Sequence, residues 1–443
     1  MDAHLLFDGR AKGAEKENKI RLNNTIMDAS SDKKQHKLTE QKYLIPFVMI
    51  TLLFFLWGFA RAILDVLNKH FQNELGITIT QSAWIQVTTY LGYFLMAIPS
   101  GMFINKFGYR KGVVLGLILF AIGSFSFIPG VYIGGFNIFL LALFVIGCGL
   151  TFLETAANPY VTELGSPQTA TSRLNLSQSF NGLGSLFATS VVGLFFFRET
   201  ATSGAESTSR ITDVLVPYVI LGVIVLFIAF LFSRVSLPEI PHNDNYSSES
   251  FGSSLKKLAL TRPFTYGLMA LLAYEIAEIS INSYFINFVT GMNWMSDSTA
   301  SLLLTLALGF FMVGRFLGSY IMKHIRPQLV LTVCGLGASL CCALVLMNFK
   351  VISMVGLLGV YLFEAIMFPT IFSLALQNLG GLTKRASSLL MMTPIGGCGF
   401  LLMGYIADTT NHVLPFIIPA VGFSVVTLYA IYLLKGRRQI NKQ

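Results

Sequence analysis

The sequence predicts an all-α integral membrane protein, with about twelve membrane-spanning helices in two six-helix halves. Three observations carry this. Only 12% of the 443 residues are charged while 54% are hydrophobic, against about 25% charged in an ordinary soluble chain. From Tyr43 onward the chain is a succession of apolar stretches, and a bilayer-spanning helix needs roughly 20 such residues. The basic residues fall in the short segments between the stretches, far more often on one side than the other.

The apolar stretches run over 44–70, 81–105, 112–130, 136–160, 172–197, 214–235, 262–290, 298–323, 328–347, 351–377, 385–409 and 414–435. Residues 1–42 are polar with no apolar run and read as a disordered cytoplasmic tail; Met27 opens a shorter form that reaches the first span equally well. Residues 236–261 hold two prolines, a serine-rich stretch, Lys256 and Lys257. They read as a linker between an N-terminal half, 43–235, and a C-terminal half, 262–435, with a short tail at 436–443. The even-numbered loops carry Lys106, Arg110, Lys111, Arg173, Arg234, Lys256, Lys257, Arg262, Lys323, Arg326, Lys384 and Arg385, and the odd-numbered ones only Lys69, Arg198, Arg210 and Lys350. Under the positive-inside rule both termini and the linker are cytoplasmic. The same distribution accounts for the net charge of +9 without a nucleic-acid partner.

Six spans, a cytoplasmic link and six more is similar to the layout of the major facilitator fold, whose halves are parallel repeats with substrate between them. The loop from Gly101 to Lys111 resembles that superfamily's loop signature, with Asn105 where an acidic residue is usual, and the run from Gly314 to Arg326 echoes it.

Charged and polar side chains inside the spans are the candidate functional residues, because a charge at mid-bilayer costs about 2.5–3.5 kcal/mol on the gentlest scale. Asp65 in span one and Glu154 in span four are the candidates for proton coupling, since burial opposes the charged form of a carboxyl. Arg61 sits four residues before Asp65 on the same helix face, and a permanent Arg61–Asp65 pair is the competing structural reading. Glu275, Glu278 and Asn282 share one face of span seven, and Gln178 and Asn181 lie in span five. Asn158, Asn282 and Tyr93 are further candidates for substrate contact. Glu364 is expected to pair with Arg61 across the halves as a gate, Glu275 to belong to the same set of gating or paired charges, and Arg315, at the cytoplasmic end of its span, to hold the loop to span eleven. Trp57, Trp84, Tyr90, Tyr93 and Tyr284 suit either sugar stacking or interface anchoring. The five cysteines lie in apolar stretches without metal spacing and read as core residues. No phosphate-cradling loop is present, so ATP hydrolysis is not indicated.

Phe54-Phe-Leu-Trp-Gly58 with Asp65, Leu153-Glu-Thr-Ala-Ala-Asn-Pro159, Arg173-Leu-Asn-Leu-Ser-Gln-Ser-Phe-Asn181, Gly314-Arg315-Phe316 and Phe368-Pro-Thr-Ile-Phe-Ser-Leu374 resemble the family of bacterial L-fucose/proton and fucose–galactose–glucose:proton symporters. The resemblance implies import of a monosaccharide with protons in a bacterial inner membrane; separately, no cofactor is expected and the chain is expected to be a monomer. The resemblance also implies that Asp65 and Glu154 handle proton and sugar, with Gln178 and Asn181 on the family's span-five polar positions and Glu278 near its span-seven Gln or Glu. Arg61-Ala-Ile-Leu64 stands where the fucose symporter has an asparagine-rich stretch. That leaves another hexose, an amino sugar or an acidic sugar open beside fucose. An efflux antiporter for amphipathic compounds and a non-transporting sugar sensor are the other readings.

Overall fold

The structure is a computed structural model and describes residues 39–133, 136–165, 170–196, 215–235, 251–322, 325–377, 379 and 382–440. Most of the tail with Met27, residues 236–250 of the linker and the last three residues therefore lie outside it. Among the described residues there is no strand.

The first half contains α1 (Leu44–Leu75), α2 (Trp84–Phe107), α3 (Tyr109–Phe125), α4 (Phe136–Glu163), α5 (Ala170–Phe196) and α6 (Leu215–Arg234). The second contains α7 (Arg262–Gly291), α8 (Asp297–Ile321), α9 (Pro327–Leu346), α10 (Lys350–Glu364), α11 (Gly399–Thr409) and α12 (Ile417–Ile440). A short helix, Met367–Ala375, continues α10 after a break, and Thr383–Leu390 with a 3-10 turn leads into α11. The end of the expected linker is itself helical, Phe251–Leu260.

Eleven segments of the described residues are long and apolar enough to cross a membrane. The remaining expected span, α5, has 27 residues, about 40 Å of helix. Asn175, Gln178, Asn181 and five serines dilute its apolar content. It packs along α1 and buries Ser177, Gln178 and Ser179 in the interior.

Local chemistry sets the helix ends. Gly76, at φ +61°, ends α1 in a left-handed turn that costs glycine little. Thr78 and Gln81 form a reciprocal capping box over the short helix Ile79–Ser82. Prolines occupy the first turn of α7 and α9, where no N–H is needed.

The buried apolar residues form two clusters, one drawn almost wholly from α1–α6 and one from α7–α12. Ile279 of α7 joins the first cluster and Ala83 joins the second, so the halves interlock where they meet. One set of polar ties across the halves lies at one end of the bundle. Asn73 donates to Asp297 at 2.7 Å, with Lys69 3.8 Å from the same carboxylate. Thr80 donates both its N–H (2.8 Å) and its hydroxyl (2.5 Å) to Asp408.

Helices α1 and α5 approach backbone to backbone through glycine. A Cβ on Gly184 would lie 2.1 Å from the Phe55 carbonyl oxygen, and one on Gly58 would lie 2.1 Å from that of Asn181. Gly184→Ala must therefore push the helices apart, an overpacking cost of about 1–3 kcal/mol. We expect a clearly lower thermal midpoint for this variant in detergent; an unchanged midpoint would show that the two helices are not so closely apposed.

Candidate functional site

A cavity lies between the halves at mid-bundle, lined by six of the twelve long helices and by the broken segments of the second half. Helix α1 supplies Trp57 and Arg61, α2 Tyr90, α4 Glu154, and α5 Gln178 and Asn181. From the other half come Tyr274, Glu275, Glu278 and Asn282 on α7, Arg315 on α8, and Phe368 and Pro394. The polar face predicted for span seven does look into this space.

The carboxyl of Glu154 is buried, and Tyr93 of α2 donates its hydroxyl to it at 2.8 Å. Tyr93 was expected to meet substrate. It is instead buried behind the wall, and its polar edge is used to hold Glu154, a bond worth about 1.5–3 kcal/mol when the acceptor is ionised. Asn158 is likewise a supporting residue: its side-chain oxygen accepts from Gln178 Nε2 at 3.3 Å, and its amide nitrogen lies 3.8 Å from the sulfur of Met391. Gln178 and Asn181 reach the cavity, and Asn181 also donates to the Phe54 carbonyl at 3.3 Å. That bond ties the polar face of α5 to α1.

Arg61 crosses from the first half to the second. Its guanidinium lies 3.7 Å from a Glu278 oxygen and 3.9 Å from a Glu275 oxygen, over the Tyr90 ring at 5.8 Å. Asn282 donates to the other oxygen of Glu278 at 3.0 Å. The expected partner of Arg61, Glu364, is fully buried on α10, and among the described residues no ion pair reaches it. The physical reason is reach: Glu275 and Glu278 stand on the helix facing α1, whereas α10 packs behind, on α8 and α9. The side chain of Asp65 falls outside the described ones.

Arg315 also differs from expectation. It stands six residues before the end of α8, about 9 Å inside the helix at 1.5 Å per residue, and lines the cavity rather than fastening a loop. Pro369 has no N–H to give the carbonyl of Ala365 four residues earlier, and Arg315 Nε donates to that carbonyl at 3.2 Å. Its Nη1 donates to the backbone oxygen (2.8 Å) and side-chain oxygen (3.3 Å) of Gln178 in the other half. Two arginines thus tie the halves together across the cavity, one through carboxylates and one through carbonyl and amide oxygens.

Of the aromatic candidates, Trp57 and Tyr90 line the cavity. Trp84 is exposed on the outer surface, and Tyr284 donates to the His412 carbonyl at 3.0 Å. Tyr274 is a cavity residue that the sequence reading passed over. It lies on the same i, i+4 row as Glu278 and Asn282, so the spacing did contain it.

A polar, two-sided cavity between two six-helix halves is the arrangement of a family of membrane transporters, and the Major Facilitator Superfamily profile matches residues 50–394. The chain belongs to the Major Facilitator Superfamily. Among its relatives, the glucose/galactose transporter of Brucella abortus biovar 1 (strain 9-941) is 34% identical over 396 residues, covering 89% of this chain and 95% of the relative. The L-fucose-proton symporter of Escherichia coli (strain K12) is 34% identical over 411 residues, 88% of this chain and 93% of that one. The crystal structure of FucP in the outward conformation superposes at a TM-score of 0.72 with 33% identity, covering 88% of this chain and 99% of its own. All three are transporters, not enzymes.

Proposed function

We propose that this chain imports a monosaccharide together with protons by alternating access, working as a monomer in a bacterial inner membrane with both termini cytoplasmic. The observation that carries the reading is the placement of Glu154, a buried carboxyl held by Tyr93. It sits at the edge of a cavity where Arg61 meets Glu275 and Glu278 from the opposite half. Proton-driven transport needs an acid that binds and releases at the moving interface, and sugar recognition needs amides and a flat aromatic face. Gln178, Asn181 and Asn282 supply the amides and Trp57 the face. Asp65, one helical turn beyond Arg61, is assigned with Glu154 to the proton. The similarity to a glucose/galactose transporter and an L-fucose-proton symporter supports a neutral hexose as the first substrate to try. A single chain contains the whole cavity, which supports the monomer.

Counterflow in proteoliposomes tests this. Vesicles loaded with unlabelled D-galactose, D-glucose or L-fucose are diluted into the labelled sugar. Transient accumulation of at least one sugar is expected. Failure of all three, with energised extrusion of amphipathic dyes instead, would replace import by efflux.

The orientation makes the Thr80–Asp408 end the outer gate. Asp408 accepts two hydrogen bonds from Thr80 at the start of a helix, where a carboxylate is favoured. Asp408→Ala is expected to weaken this closure, raising the labelling rate of a cysteine placed at Ser82 severalfold with an impermeant thiol reagent added outside. Unchanged labelling would show that the gate is held elsewhere.

A further inference from the structure

Two spans carry the same spaced pattern. In α4, Gly149 precedes Glu154 by five residues and Pro159 follows it by five; in α10 and the short helix that continues it, Gly359, Glu364 and Pro369 repeat this spacing. The packing repeats as well. A Cβ on Gly149 would lie 2.6 Å from the Gly116 oxygen of α3, and one on Gly359 would lie 2.8 Å from the Cys341 sulfur of α9. The third span of each half is thus approached through the glycine of the fourth. Parallel repeats related about an axis along the membrane normal place such residues at the same depth. Glu364 therefore occupies in the second half the position that Glu154 occupies in the first.

Their surroundings differ. Glu154 has Tyr93, whereas both carboxyl oxygens of Glu364 are buried with no hydrogen-bond partner. The titratable groups around it are Cys342 on α9 and Tyr274 and Glu278 on α7, all near enough to feel its charge. Arg315 of α8 is the nearby cation. It is occupied by the carbonyl of Ala365, the next residue, and by Gln178. An ionised carboxylate here would have neither a hydrogen bond nor a cation, and Glu278 would add a like charge, so burial excludes it. A neutral acid with an unmet hydroxyl gives the fold nothing in return. Its place along the chain supplies a different reason for its presence. Helix α10 ends at Glu364 and resumes at Met367, and Ala365 anchors the arginine that reaches across to Gln178. The carboxyl therefore stands at a break in the span, one residue from the tie between the halves.

We propose that Glu364 is a further proton-binding carboxyl of the transport cycle, the C-terminal counterpart of Glu154. It holds its proton while the halves are tied as here and gives it to cavity water when that tie is released and water reaches the carboxyl. This rests on the import reading for its role, but not for the proton site itself.

Infrared spectroscopy on the full chain in lipid bilayers tests it without any sugar. At neutral pH we expect the carbonyl-stretch band of a protonated carboxylic acid, slow to shift in D2O. It should be missing in Glu364→Gln, retained in Glu154→Gln, and reversibly lost as pH is raised from about 5 to about 10. Gln copies the shape of the neutral acid; should that variant not fold, Glu364→Met reads the same band. A spectrum identical to wild type in a folded Glu364 variant overturns the proposal. So does a Glu364 band that does not respond over that pH range, which would mark a purely structural acid. A chain that moves no sugar yet loses the band would refute import and leave this site standing.

Discussion

Glu154→Gln is expected to abolish proton-driven sugar accumulation while leaving sugar exchange intact. The amide copies the neutral acid in size and can still accept the hydrogen bond that Tyr93 gives at 2.8 Å, so the site keeps its shape. It cannot bind or release a proton. Moving one charge through 100 mV supplies about 2.3 kcal/mol, enough for roughly fifty-fold accumulation at 1.4 kcal/mol per factor of ten. Without that step the accumulation ratio should fall to about one, while counterflow, which needs no net proton movement, continues. Tracer uptake under an imposed potential gives the first number and counterflow the second. Normal uphill uptake by the variant would remove Glu154 from coupling.

The second large effect is expected at Arg61. Removing one partner of a buried ion pair leaves an uncompensated charge and costs about 3–5 kcal/mol. The guanidinium is one-quarter exposed to the cavity while Glu275 is 2% exposed, so roughly half that figure is expected for Arg61→Met. The lost stability should return when Glu275→Gln and Glu278→Gln are added, because the charges then disappear together. Transport should not return, since the tie between the halves is gone. A thermal-shift cycle over the single, double and triple variants measures this coupling. Additive effects would mean that Arg61 is held by Asp65 on its own helix instead, as the spacing in the sequence alone allowed.

The spans were legible because hydropathy is a local property: each helix needs its own run of apolar residues whatever it packs against. Even so, α5 was the least apolar span, and its role as a spanning helix rests on packing against α1. The candidate site was legible as a set of residues but not as a set of partners. Burial makes Arg61, Glu154, Glu275, Glu278 and Glu364 conspicuous in any reading. Which acid faces which arginine depends on how α7 and α10 sit around the cavity, and no spacing within one helix encodes that. Tyr93 and Arg315 show the same limit. A tyrosine in an apolar run has no sequence mark telling a substrate contact from a clamp on a neighbouring carboxyl. Arg315 looked like a span-end residue until Pro369, on another helix, freed the carbonyl that it takes.

In coupled import, sugar does not cross without its proton. Proteoliposomes holding the purified chain and a lumenal pH dye, with no imposed gradient, are given the sugar that shows counterflow. Acidification of the lumen that begins with sugar addition, is absent with a non-substrate sugar, and vanishes in Glu154→Gln is the predicted result. Sugar entry at the normal rate with a flat pH trace would contradict it.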